Sequence, residues 1–216
     1  MRRSFLFELA AAIILTATSA LSDEASANAN DTKGRVVILG DSITAGYGLR
    51  PAEAYPALLQ KKIGEAGLSF AVVNAGVSGD TTAGGLRRIN WVLARGADVL
   101  VIALGGNDGL RGIPPDESRK NLLGMIQKAR AKNPEVRVLL AGMKMPDNMG
   151  PSFTKEFQKV FTEVAKESEV TLLPFLLDGV GGVEELNQAD GIHPTAEGQK
   201  KIAETVWKAL SPLLRS

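Results

Sequence analysis

Short, continuous apolar runs alternate along this chain with stretches whose apolar residues recur at helical spacing. The runs fall at 36–39, 70–74, 99–104, 136–141 and 170–173. The first, Val36-Val37-Ile38-Leu39, has no polar alternation, which reads as a strand buried on both faces, as in a parallel sheet. Between the runs lie helical stripes. Leu122, Leu123, Ile126 and Ala129 follow Pro115, and Phe153, Phe157, Val160, Phe161 and Val164 share one face. Ile202, Ala203, Val206, Trp207 and Leu210 form the last stripe, with Thr195 as a cap before it. The stripes, with the helices that carry Trp91 and Trp207, are read as core packing. Strands alternating with helices require βαβ crossovers, hence an α/β fold with a parallel sheet and helices on both faces.

Composition narrows the chemistry. A chain of 216 residues with 44% hydrophobic side chains fits one domain with a sizeable core. A net charge of +1 gives no steering toward nucleic acid. The absence of cysteine excludes disulfides, thiolate metal sites and a cysteine nucleophile. The single histidine, His193, excludes a histidine-rich metal site and is the only available imidazole base. Arg2 and Arg3 precede an apolar run at 9–15 and small-residue patterns such as Ala25-Ser26-Ala27. That plan predicts a signal peptide and spacer over 1–30, with export to the periplasm or beyond, and one domain over 31–216. Arg2-Arg3-Ser4-Phe5-Leu6 also resembles a twin-arginine signal, Glu8 interrupts the apolar start, and the bland reading is a disordered tail.

Parallel strands gather their carboxyl-end loops on one rim of the sheet, where open α/β sheets bind ligands. Gly40-Asp41-Ser42 follows the first run and 74–81, with Ser78 and Gly79, follows the second. Gly105-Gly106-Asn107-Asp108-Gly109 follows the third, and Asp190-Gly191-Ile192-His193 comes after the fifth. Together these put a serine, backbone donors, an amide and an Asp/His pair on one edge, the parts needed for acyl transfer through serine. Gly40 is expected to permit a tight turn. Ser42 needs a base, which His193 supplies, since imidazoles exchange protons near neutrality. Asp190, three residues before it, can fold back through Gly191 onto the ring. The N–H of Ser42, the N–H of Gly79 and the side chain of Asn107 are candidate oxyanion donors. Each has a plainer reading. Ser42 is a helix N-cap, Asp190 makes an Asx-turn, 107–109 is a turn, and Asp178 and Ser78 are rival acid and serine.

Gly40-Asp41-Ser42, Gly79, Gly105-Gly106-Asn107-Asp108 and Asp190-x-x-His193 resemble, in order, the four blocks of the SGNH (GDSL) hydrolase superfamily. Gly-Asp-Ser-x-x-Ala-Gly-Tyr and Asp-Gly-Ile-His-Pro are most similar to its thioesterase I / lysophospholipase L1 / arylesterase group. The resemblance implies a three-layer α/β/α sandwich around a five-stranded parallel sheet, the flavodoxin-like SGNH fold. It implies Ser42 as nucleophile, His193 as base, Asp190 as its partner, and Ser42, Gly79 and Asn107 as the oxyanion hole, with no metal or other cofactor. It implies a movable loop over 109–114, with Gly109, Leu110 and Ile113 at the acyl site. Met145 and Pro146 are candidate additions to that wall, as are Leu49 and Met149. The expected function is hydrolysis of aryl, fatty acyl and lysophospholipid esters, and of acyl thioesters, through an acyl-Ser42 intermediate. The expected partner is a small acyl substrate, met by a monomer with no nucleic acid and no membrane anchor once the signal is removed. The alternatives are a carbohydrate O-deacetylase with the same triad and a non-catalytic acyl- or glycan-binding protein.

Overall fold

The expected alternation is present in the computed structural model, which describes residues 34–215. The segment read as signal peptide and spacer, 1–30, lies outside the described residues. Strands β1 (Gly34–Gly40), β2 (Phe70–Gly76), β3 (Val99–Ala103), β4 (Arg137–Ala141) and β5 (Thr171–Leu173) form one sheet in the order β2-β1-β3-β4-β5. Every neighbouring pair is parallel. The helices are α1 (Ser42–Ala45), α2 (Tyr55–Glu65), α3 (Thr82–Val92), α4 (Gly106–Leu110), α5 (Pro115–Lys132), α6 (Pro151–Glu167) and α7 (Ala196–Leu210). Helices α3, α5 and α6 pack side by side as one layer, and α2 pairs with α7 in the other. This is the three-layer α/β/α sandwich.

The buried strands are those with unbroken apolar runs. Val36 to Leu39 and Val99 to Ala103 are wholly inaccessible, because each strand is covered on both faces by helices. Strand β2 is half-buried along most of its length because it lies at the edge of the sheet. Gln60 closes that edge, donating from Nε2 to the Phe70 carbonyl (3.0 Å) and accepting from the Val72 N–H (2.7 Å). A side-chain amide thereby occupies groups that would otherwise template another strand.

One reading from the sequence needs correction. Trp91 is not core packing: it is 79% exposed. At 3.6 residues per turn it falls on the side of α3 away from Ile89 and Val92, which carry the buried face. Trp207 packs against the core as expected. Gly40 ends β1 directly before the helical turn that Ser42 opens, and it allows that turn by close approach. A Cβ there would lie 1.9 Å from Thr44 Oγ1, whereas its φ is not positive.

The register brings the site loops level. Gly40 pairs with Gly76 of β2 and with Ala103 of β3, so three strands end on one line. Strand β1 connects to β2 on one side and has β3 on the other. The crevice at this topological switch point is where doubly wound sheets hold ligands.

Candidate active site

Ser42 opens α1, a single turn that could not persist alone. Asp41 caps it, accepting the Ile43 N–H at 3.0 Å, so the cap is Asp41 and not Ser42. The far end is held from other elements. Gln199 Nε2 donates to the Ile43 carbonyl (3.0 Å) and Asn74 Nδ2 to the Thr44 carbonyl (2.9 Å). Thr44 Oγ1 also hydrogen-bonds the buried Tyr55 hydroxyl (2.8 Å), and burial pushes that phenol's pKa up. These contacts satisfy groups a helix end leaves unpaired and fix where Ser42 stands. Ser42 is 8% exposed.

Its hydroxyl meets His193, whose Nε2 lies 2.9 Å from Ser42 Oγ. On the other side of the ring, Nδ1 lies 2.6 Å from Asp190 Oδ2. Asp190 Oδ1 accepts the N–H groups of Ile192 and His193, both at 2.9 Å. The Asx-turn and the histidine contact therefore coexist, one on each carboxylate oxygen. The backbone N–H and ring of His193, with the Ile192 N–H, hold the Asp190 carboxyl down at about 2. Ser42, Asp190 and His193 are thus brought together. Neither Ser78 nor Asp178 joins them: Ser78 is exposed, and the Asp178 N–H bonds locally to the Phe175 carbonyl.

The candidate oxyanion donors stand on the same rim. Gly79 has φ +77°, a left-handed conformation that a side chain would strain. Arg111 holds the Gly79 carbonyl at 3.0 Å, and among the described residues neither the Gly79 N–H nor the Ser42 N–H has an acceptor. Asn107 lies in α4, not in a turn, and its Nδ2 donates to the Asp80 carbonyl at 3.0 Å. The same nitrogen stands 3.5 Å from Asp41 Oδ2, so one of its hydrogens is only weakly engaged. Beneath the loops, Arg88 binds the Asp80 carboxylate (2.7 Å) and the carbonyls of Ala75 (2.7 Å) and Gly40 (2.9 Å). Asp108, wholly buried, accepts from the Thr82 N–H (2.9 Å), the Thr82 hydroxyl and the Ser118 hydroxyl (3.1 Å). Those two acids tie α3, α4 and α5 together below the rim. Asp41 is 2% exposed, and burial, partly countered by the Ile43 N–H, pushes its carboxyl up to about 6.

A cavity of about 320 Å³ opens beside the triad. Leu110, Met145 and Pro146, three of the candidates for the acyl wall, line it. Ile113 and Gly109 do not: the Ile113 N–H turns back to the Asp108 carbonyl, and Gly109 lies beneath Met145, whose Sδ would be 2.0 Å from a Cβ there. Gly109 and Leu110 belong to α4, which shortens the loop expected over 109–114. Leu49 is not in the lining, and Met149 packs against the core. The sequence motifs do not name the remaining apolar wall, Ile43, Met143, Phe175, Leu177 and Ile192. Ile43 and Ile192 adjoin singled-out residues, and Phe175 and Leu177 follow β5 on the same rim, so the loop argument reaches them. The residues that brace the rim, Arg88, Arg111 and Gln199, have no local signal.

A hydroxyl, an imidazole and a carboxylate in series, with unspent N–H donors and an apolar cavity alongside, can transfer an acyl group. The GDSL-like Lipase/Acylhydrolase family matches residues 38–201. Esterase TesA of Pseudomonas aeruginosa is 47% identical over 180 residues, covering 83% of this chain and 89% of that protein. The thioesterase 1/protease 1/lysophospholipase L1 of Escherichia coli K12 is 39% identical over 180 residues, covering 83% and 84%. The crystal structure of TesA superposes with a TM-score of 0.80 at 46% identity, covering 83% of this chain and 99% of that one. The chain belongs to the GDSL-like lipase/acylhydrolase (SGNH) family of serine ester hydrolases.

Proposed function

We propose that Ser42 is the nucleophile, His193 the general base and acid, and Asp190 the residue that orients the imidazole and balances its charge. The observation that carries this reading is the unbroken series from Asp190 Oδ2 through His193 to Ser42 Oγ, at 2.6 and 2.9 Å. Asp190 stays ionised at any working pH and fixes the proton on Nδ1, leaving the Nε2 lone pair for the serine. Nε2 takes the Oγ proton as Oγ attacks the acyl carbon. The N–H groups of Ser42 and Gly79 and the Asn107 amide receive the oxyanion. Collapse of the tetrahedral adduct breaks the bond to the leaving oxygen or sulfur, which takes the proton from Nε2. Water then attacks acyl-Ser42, passes a proton to Nε2, and releases the acid while Oγ is reprotonated.

The cavity walls support acyl esters as substrates: fatty acyl, aryl and lysophospholipid esters, and acyl thioesters, with the acyl half against Leu110, Met145, Phe175 and Leu177. Export is supported by the pattern of residues 1–30. After removal of that segment, the domain 31–216 acts as a monomer in the periplasm or outside the cell. Among the described residues no helix is long and apolar enough to cross a membrane.

The test is hydrolysis of p-nitrophenyl esters, acetyl through palmitoyl, by the domain and by Ser42→Ala. A loss of at least about a hundredfold in the variant is expected. Turnover confined to acetyl would instead point to a deacetylase. Saturable ligand binding without turnover would leave only a binding protein.

A further inference from the structure

Tyr47, just past the end of the helical turn that Ser42 opens, has no part in the steps above. Its ring lies over the imidazole of His193, with centroids 4.4 Å apart and planes inclined by 36°. It is 53% exposed, so core packing does not hold it there. The backbone does. The Tyr47 N–H donates to the Ser42 carbonyl (3.0 Å), and glycines with positive φ, Gly46 and Gly48, flank it. Gln188 Nε2 donates to both the Tyr47 carbonyl (2.8 Å) and the Pro194 carbonyl (3.1 Å), locking this loop to the one that carries His193. An aromatic ring is thus kept half in solvent, directly beside the proton-transferring group.

The reaction fixes what comes near it. The departing oxygen or sulfur receives its proton from His193 Nε2, so it must come within about 3 Å of that atom. Whatever is attached to it therefore begins next to the imidazole. The acyl half has a separate place, since neither Tyr47 nor His193 lines the cavity bounded by Leu110, Met145 and Ile192. Resting on the assignment of His193 as the proton donor to the leaving group, we infer that Tyr47 is a specificity-determining residue for the leaving half of the substrate. The exposed part of its ring is an aromatic surface against which an aromatic alcohol or thiol makes a tilted or edge contact as it departs. Offset or tilted contacts between rings carry an energy beyond area burial, and a flat leaving group collects it while an aliphatic one does not.

The experiment compares phenyl acetate, ethyl acetate and phenyl butyrate on the wild-type domain, Tyr47→Leu and Tyr47→Phe. Tyr47→Leu should lower the phenyl-to-ethyl acetate ratio of kcat/KM by about fivefold and leave the phenyl butyrate-to-acetate ratio in place. Tyr47→Phe, which keeps the ring, should hold both ratios. An equal loss on phenyl and ethyl acetate would overturn the inference, because the ring would then only orient His193. A change confined to the butyrate-to-acetate ratio would overturn it too, by placing Tyr47 on the acyl side. Absence of turnover in the wild-type domain would instead sink the esterase reading itself.

Discussion

Replacing Asp190 by asparagine separates the electrical role of this residue from its structural one. Oδ1 accepts two backbone N–H groups, from Ile192 and His193, at 2.9 Å each. Both are donors, so in Asp190→Asn the amide oxygen must take that position. The amide NH₂ is then forced toward His193 Nδ1, where the carboxylate Oδ2 stood at 2.6 Å. A donor there requires a lone pair on Nδ1, which moves the ring proton to Nε2. Nε2 then donates to Ser42 Oγ instead of accepting from it, and the base is lost while the loop is kept. The same tautomer error in other serine triads costs about 10⁴-fold in kcat, and a loss of that order is expected here. KM should change little, because the acyl cavity is untouched. The assay is steady-state hydrolysis of p-nitrophenyl butyrate, with thermal unfolding of both proteins beside it. An Asp190→Asn protein that folds normally and retains kcat within about tenfold of wild type would refute the tautomer argument.

Two further outcomes follow from the walls and the buried acid. Asp41 is held at about 6 against an ordinary 3.8, so between those values the unfolded chain ionises while the folded one keeps its proton. Stability is therefore lost as pH rises through that window, by about 3 kcal/mol, and is level above it. Asp41→Asn keeps an acceptor for the Ile43 N–H and carries no charge to desolvate. Its stability relative to wild type, from urea unfolding at pH 4 and pH 7, should rise by most of that amount, and a difference independent of pH would contradict the assignment. Asp190 acts in the opposite direction and in a lower window. Its contribution is in place above 3.8 and is lost as pH falls through about 2, so it does not mask the effect. Met145 closes one wall of the cavity, and Met145→Ala should move the best substrate to a longer acyl chain, by about fourfold in kcat/KM per methylene newly buried. An unchanged chain-length profile on p-nitrophenyl esters would show that Met145 does not limit the acyl site.

Much of the fold is legible in the sequence because parallel sheets leave a plain mark. The runs at Val36 and Val99 are apolar on both faces since helices cover both sides, and the stripe from Phe153 to Val164 repeats with the helix. Thr195 caps α7 as a threonine before an apolar stripe should, accepting the Gly198 N–H. The candidate site is legible because its loops come after strands, and register makes the ends of β1, β2 and β3 level. The losses have physical causes. Residue type alone puts Trp91 in the core, whereas its angular position on α3 turns it to solvent. Gly-Gly-Asn-Asp-Gly reads as a turn, yet the bonds of Asp108 to Thr82 and Ser118 fix it as a helical turn that contains Gly109. Phe175 and Leu177 sit in a stretch with no periodicity, and their place in the cavity depends on packing between segments far apart in the chain. Tyr47 closes the Gly-Asp-Ser-x-x-Ala-Gly-Tyr stretch, but its contact with His193 joins two distant parts of the domain and is not legible there.

The central claim is that the acyl group passes through Ser42. The most direct measurement is intact-mass analysis of the enzyme quenched in acid during turnover of p-nitrophenyl acetate, followed by peptide mapping. The account predicts a mass gain of one acetyl group, located on Ser42, appearing with a burst of p-nitrophenol and absent from Ser42→Ala. Full turnover with no acetyl on Ser42, or acetyl on another residue with Ser42→Ala still active, would contradict it.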